Sequence, residues 1–139
     1  MDNLKIIYIS SPFSGPTEHI IEENIHIASG VAIEAIYAGW GVICPHKNTS
    51  GFQHLDLPIE FWYDLDIQLL KKCDAMVFNV IDLEKVNKSV GMNLELAFAE
   101  ENNIPVIFRY EDEEVAFTWK GAFYSDFPSP NKIFSKEAD

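Results

Sequence analysis

Hydrophobic positions along the chain fall into two kinds of stretch that alternate regularly. Residues Leu4 to Ser11 (LKIIYISS) form a short apolar run, rich in β-branched residues, that stops at Pro12 and Gly15 as a buried strand entering a loop does. From Glu18 to Tyr37 the apolar residues Ile21, Ile25, Ala28, Ala32 and Ile36 recur at three- and four-residue steps, which predicts a helix ending at Gly39. Gly41 to Cys44 reads as a second strand and Pro45 to Leu57 as a polar loop carrying His46, Lys47, Gly51 and His54. Pro58 suits the first turn of a second helix, whose apolar side (Phe61, Leu65, Leu69, Leu70) runs to Lys72. Asp74 to Val80 is a third strand and Ile81 to Lys88 a charged loop. Ser89 caps a third helix from Val90 to Asn102, and Ile104 to Tyr110 is a fourth strand.

The order is thus β-α-β-α-β-α-β, and none of the strands alternates clearly between apolar and polar positions. Such strands lie in a parallel sheet covered by helices on both faces. The expectation is one α/β domain over residues 1–139, flavodoxin-like or Rossmann-like, with strand order 2-1-3-4 and room for a fifth edge strand. The tail over 111–139 is less regular: Glu111 to Glu114 is an acidic turn, Val115 to Tyr124 is aromatic-rich, and Phe127 to Pro130 reads as a loop. Ligands in such sheets bind beyond the carboxyl ends of the strands. That directs attention to Ser10–Gly15, Pro45–Gly51, Val80–Ser89 and the first turns of the helices that follow.

Composition narrows the function. Ten Lys plus Arg against 22 Asp plus Glu give a formal charge of −12, and Arg109 is the only arginine. Nucleic-acid polymers are held by many cation-to-phosphate contacts, so such a partner is not expected. No apolar run reaches the roughly 20 residues that span a bilayer, and the N-terminus lacks a signal peptide's shape, so a soluble, cytoplasmic protein without a membrane partner is expected. Cys44 and Cys73 each sit at the edge of an apolar run without CxxC spacing and read as reduced, partly buried thiols. His19, His26, His46 and His54 lack metal-binding spacing, and no metal or organic cofactor is expected.

The most informative segment is Ser89-Val90-Gly91-Met92-Asn93-Leu94-Glu95-Leu96, at the junction of the third strand region and the third helix. Ser89 and the amides near Gly91 can face an anion at a helix N-terminus. Glu95 interrupts an otherwise apolar helix; turned toward a cleft, it would be desolvated and its pKa raised. On pattern alone an exposed glutamate and a plain helix cap remain the commoner arrangement. Asp66 is a second candidate carboxylate, and Asp64, two residues away, must lie on a different helix face. Two carboxylates across a cleft are what cleavage of a glycosidic bond requires. The first loop, Ser10-Ser11-Pro12-Phe13-Ser14-Gly15, offers hydroxyls and a glycine but matches neither a dinucleotide fingerprint nor a P-loop. His46 is the one histidine at a strand's carboxyl end.

Three motifs together resemble the nucleoside 2-deoxyribosyltransferase superfamily, and in particular its branch of nucleoside 5′-monophosphate N-glycosidases, the 2′-deoxynucleoside 5′-phosphate N-hydrolases and CMP hydrolases. They are Tyr8 followed by the small-residue loop to Gly15, Asp66 placed eight positions before the strand-opening Asp74, and SxGxxxEL over Ser89 to Leu96. The resemblance implies that Glu95 attacks the anomeric carbon, that Asp66 assists the sugar or the departing base, and that Tyr8 orients Glu95. Substrate or phosphate contacts are expected at Ser10, Ser11, Ser14, Gly15, His46, Ser89 and Gly91. The transferases tend to carry Asp at the position of Ser89 and the monophosphate hydrolases Ser, which can donate to a phosphate. Phe13 stands where the deoxynucleotide hydrolases often have Arg, leaving Lys47, Lys88 or Ser14 to meet the phosphate, and Ala97 replaces a frequent glycine.

The expected reaction is therefore hydrolysis of a nucleoside 5′-monophosphate to free base and a sugar phosphate through a glycosyl-enzyme. A base-exchanging transferase, and a nucleotide-binding module without catalysis, are the alternatives. The resemblance further implies a homodimer, with the aromatic tail (Phe117, Trp119, Phe123, Tyr124) or the second helix (Phe61, Trp62) supplying the interface. An apolar core is the competing account of those aromatics.

Overall fold

A strand that is apolar on both faces belongs in the middle of a sheet, and Ile6–Ser10 occupies that place. The computed structural model describes residues 3–48, 52, 55–110 and 127–134. In chain order they form β1 (Ile6–Ser10), α1 (Glu18–Tyr37), β2 (Gly41–Ile43), α2 (Pro45–Asn48), α3 (Ile59–Leu70), β3 (Ala75–Val80), α4 (Leu83–Lys88), α5 (Val90–Glu101), β4 (Val106–Tyr110) and α6 (Pro130–Phe134). The four strands make one parallel sheet in the order β2-β1-β3-β4, as the sequence pattern predicts. The expected acidic turn and the aromatic-rich stretch fall within 111–126, which lies outside the described residues.

The pleat sorts side chains to two cores. Tyr8, Met76, Phe78 and Val80 face Leu70, Val86, Met92 and Ala99 of α3, α4 and α5. Ile7, Ile9, Ala75, Val77 and Ile107 face Ala28, Val31, Ala32 and Ala35 of α1 together with Trp40. The α1 stripe is turned from the expected one: Asn24, Ala28, Val31, Ala32 and Ala35 are its buried residues, while Ile36 is 51% exposed. Alanines at the contact let a helix lie close to a sheet, so the small side chains take the inner positions and the larger Ile36 is turned outward. Residues 127–134 complete this face, with Trp40 Nε1 donating to the Pro128 carbonyl at 2.8 Å and Phe134 set edge-on to Trp40.

Two segments read as loops contain short helices: α2 opens the polar loop after β2 and α4 lies inside Ile81–Lys88, whereas α6 starts at Pro130, where the loop read over Phe127–Pro130 ends. Asp82 caps α4, its side chain accepting from Lys85 N–H at 2.7 Å. Helices this short offer less than two turns of periodicity, and the caps and surrounding packing form them instead. Gly39, at φ +106° beyond α1, occupies a left-handed position open to glycine.

Candidate active site

Neighbours β1 and β3 send their helices to opposite faces of the sheet, so a crevice opens beyond their carboxyl ends. It is a cleft of about 820 Å³ walled by the first loop, α2, one side of α3, α4 and the first turns of α5.

Glu95 sits at its floor. The residue is only 7% exposed and both carboxylate oxygens are engaged: Tyr8 Oη donates to Oε2 at 2.5 Å and Ser10 Oγ donates to Oε1 at 2.7 Å. Tyr8 and Ser10, two apart on β1, point to the same face of the sheet, so strand geometry places both donors at once. Burial pushes the Glu95 carboxyl up to about 7, opposed by the Tyr8 and Ser10 hydrogen bonds and reinforced by the charge of Asp66. Tyr8 itself is fully buried and its phenol is pushed upward by burial and then by Glu95, so it stays a donor. A clamped, desolvated carboxylate at the base of a cleft is suited to nucleophilic or proton-transfer work.

Asp66 lies on the cleft side of α3, half-buried, with its carboxyl raised by burial to about 6. Asp64 is exposed and lines a separate, shallower groove between α3 and α5. The helical spacing thus separates the two aspartates as expected. Asp74 lies outside the cleft: its Oδ2 accepts from Ile6 N–H at 2.8 Å, tying β3 to the start of β1.

Of the residues expected to bind ligand, Ser11, Ser14, Gly15, His46, Ser89 and Gly91 line the cleft together. Ser10 is not on its wall; its hydroxyl belongs to Glu95. Ser89 caps α5, its Oγ accepting from Met92 N–H at 3.2 Å, which leaves the hydroxyl proton to donate elsewhere. A Cβ on Gly15 would meet Ile20 Cγ2 at 2.3 Å, so the loop passes α1 where only glycine fits without a shift. His46 Nε2 is 3.0 Å from the Pro12 carbonyl, and burial lowers the ring's pKa. A neutral, buried imidazole braces the first loop and brings no positive charge to a phosphate. Lys47 is exposed away from the cleft, whereas Lys88 and Lys85 line it. Lys88 pairs with Glu84 at 2.8 Å.

Two contributors escaped the sequence reading. Lys85 does so because α4 has too few turns to show. Asn24 left a signal, a polar residue one turn before Ala28 on the buried stripe; its Nδ2 donates to the carbonyls of Phe13 (3.0 Å) and Ser14 (3.3 Å) and pins the first loop. Among the described residues no group of three or more His, Cys, Asp or Glu side chains is placed to hold a metal ion. Cys44 and Cys73 are free thiols, and no described helix is long and apolar enough to cross a membrane.

The chain is an α/β protein whose fold is that of solved 2-deoxyribosyltransferases. It is similar to a solved 2-deoxyribosyltransferase from the psychrotolerant bacterium Bacillus psychrosaccharolyticus, at 20% identity and a TM-score of 0.65 over 87% of this chain and 86% of that one. It is also similar to a 2-deoxyribosyltransferase from Leishmania mexicana, at 14% identity and a TM-score of 0.54 over 89% of this chain and 77% of that one. A comparison with curated proteins gave no match. Residues 5–109 match the family described as Domain of unknown function (DUF7768), and the chain belongs to that family.

Proposed function

We propose that this protein cleaves the N-glycosidic bond of a nucleoside 5′-monophosphate, with Glu95 as nucleophile and water as the final acceptor. The observation that carries this reading is the Glu95 carboxylate, buried, clamped by Tyr8 and Ser10, and set in one cleft with Asp66. A Glu95 oxygen attacks C1′ as the C1′–N bond breaks, and the electron pair leaves with the base, which takes a proton from Asp66. Water then attacks C1′, gives its proton to Asp66, and the C1′–O bond to Glu95 breaks. Two inversions yield retention and release free base and a sugar 5-phosphate. Both carboxyls are raised toward neutrality, so the pair can hold one proton between them near neutral pH.

Three features support a 5′-phosphate on the substrate: the donor hydroxyl of Ser89 at the start of α5, and Lys85 and Lys88 on the cleft wall. Base exchange is the second reading, favoured by the fold shared with two solved 2-deoxyribosyltransferases. Of the helix residues expected at an interface, Trp62 lines the cleft, and Phe61, 47% exposed on the first turn of α3, supports a second copy of the chain as partner, as a homodimer.

The test is a panel of nucleosides and 5′-monophosphates, incubated with and without a second free base and followed by chromatography of released base. Release from monophosphates without added base is the expected result. Exchange that requires the second base turns the reading to the transferase, and absence of both reactions overturns catalysis.

A further inference from the structure

Behind the cleft, on the face of the sheet opposite Glu95, runs a chain of side chains that the proposed reaction does not use. Glu34 on α1 accepts from Arg109 on β4, from Nη2 at 2.7 Å and Nε at 3.1 Å. Arg109 Nη1 donates to Asn79 Oδ1 at 2.9 Å, and Asn79 Nδ2 donates to Ser11 Oγ at 3.2 Å. Asn79 is fully buried in β3, Ser11 is 5% exposed, and Ser11 reaches the cleft wall.

The polarity of this chain is forced at each link. A guanidinium has donors only, so the Asn79 atom facing Arg109 must be the carbonyl oxygen. The amide nitrogen therefore faces Ser11 and, being a donor only, obliges the Ser11 oxygen to accept. The Ser11 proton is left over, and among the described residues no acceptor takes it. A nearly buried hydroxyl with an unspent proton at a cleft wall is a directional donor, and leaving it unmatched is unfavourable.

We infer that Arg109 and Asn79 are positioning residues that set Ser11 as a hydrogen-bond donor to an acceptor oxygen of the bound nucleotide. The inference rests on the proposed nucleotide site and adds to it a contact whose direction is fixed. The acceptor is an oxygen of the 5′-phosphate or of the sugar or base, and a matched pair of substrates separates these sources.

Asn79→Asp is the informative variant. It preserves shape and keeps an acceptor for Arg109, yet the atom facing Ser11 becomes an acceptor, so the Ser11 proton turns away from the cleft. KM for a 5′-monophosphate is expected to rise about tenfold or more if the lost contact is to a charged oxygen, and about two- to tenfold if neutral, with kcat little changed. Ser11→Ala should match it. In the Ser11→Ala background, Asn79→Asp should add less than about twofold, whereas repulsion by a new charge would multiply through. A loss on the monophosphate but not on its nucleoside assigns the phosphate; equal loss on both assigns the sugar or base.

Thermal melts show that the variants are folded, and the same cycle is read in parallel as the Kd for the monophosphate by calorimetry. Values for Asn79→Asp within twofold of wild type, or multiplicative effects, overturn the inference while leaving the proposed function standing. Wild-type protein that binds the monophosphate without cleaving it overturns the reaction, and the Kd cycle then decides the inference alone. Wild-type protein that neither cleaves nor binds the panel overturns both.

Discussion

Tyr8 and Glu95 lie 87 positions apart in the chain and meet through a 2.5 Å hydrogen bond at the floor of the cleft. The phenol stands in the centre of the sheet on β1, fully buried, while the carboxyl comes from the second turn of α5. A buried carboxylate is unfavourable unless donors satisfy it, and here the second donor, Ser10, is supplied by the same strand two residues on. The sheet thus holds one carboxylate in one orientation, at a cost in stability that a purely structural helix residue would not incur.

That carboxylate carries the first prediction. Glu95→Gln keeps the shape of the side chain but replaces the attacking oxygen with a poor nucleophile, so base release should fall by about a thousandfold or more with nucleotide binding retained. Single-turnover base release by purified, folded variant decides it. A wild-type rate would remove Glu95 from the mechanism.

The same substitution has a second consequence, in stability. The folded-state pKa of Glu95 is raised from 4.5 to about 7, so the native protein holds a proton there that the unfolded chain has lost. Wild-type stability should therefore decline as pH rises from about 4.5 through 7, by up to about 3 kcal/mol from this residue. Glutamine does not ionise, so Glu95→Gln should gain in Tm relative to wild type at pH 8 and lose that advantage at pH 4.5. An identical Tm difference at both pH values would show that Glu95 carries no buried charge.

Much of this arrangement was legible beforehand, for identifiable reasons. Parallel strands buried on both faces leave continuous apolar runs, so β1, β3 and β4 and their order could be read. The separation of Asp64 from Asp66 follows from the helical period alone. What could not be read depends on contacts between distant segments. Nothing near Ser10 says that its hydroxyl serves Glu95 instead of a ligand, and nothing near Asn79 announces Arg109, 30 positions on. His46 stands on the cleft wall as its place at the end of β2 suggested, but its second contact, to the Pro12 carbonyl of the first loop, could not be read from the sequence.

Tyr8→Phe isolates the hydrogen bond from the ring. The Tyr8 hydroxyl lowers the Glu95 pKa, so its removal should raise that pKa further and move the acidic limb of kcat/KM to higher pH. The loss should be larger at pH 6 than at high pH, where Glu95 is ionised in wild type and variant alike. A pH-rate profile that drops in parallel at every pH would assign Tyr8 to packing alone.

Asp66→Asn should act on the same carboxyl in the opposite sense. The Asp66 charge pushes the Glu95 pKa up, so beside a neutral asparagine the Glu95 carboxyl should titrate lower and as a single group. Asparagine also cannot deliver or take a proton, so kcat should decline by about a hundred- to ten-thousandfold, the usual contribution of a general acid or base. The two raised carboxyls titrate as a pair, so in a bell-shaped wild-type profile the acidic limb reflects gain of a second proton by the pair and the basic limb loss of its last one. The variant should therefore lose the bell and reach a low plateau above its single remaining limb. Profiles of wild type, Tyr8→Phe and Asp66→Asn measured on one substrate test all of this together. A retained bell in Asp66→Asn would exclude Asp66 as the proton-handling partner of Glu95.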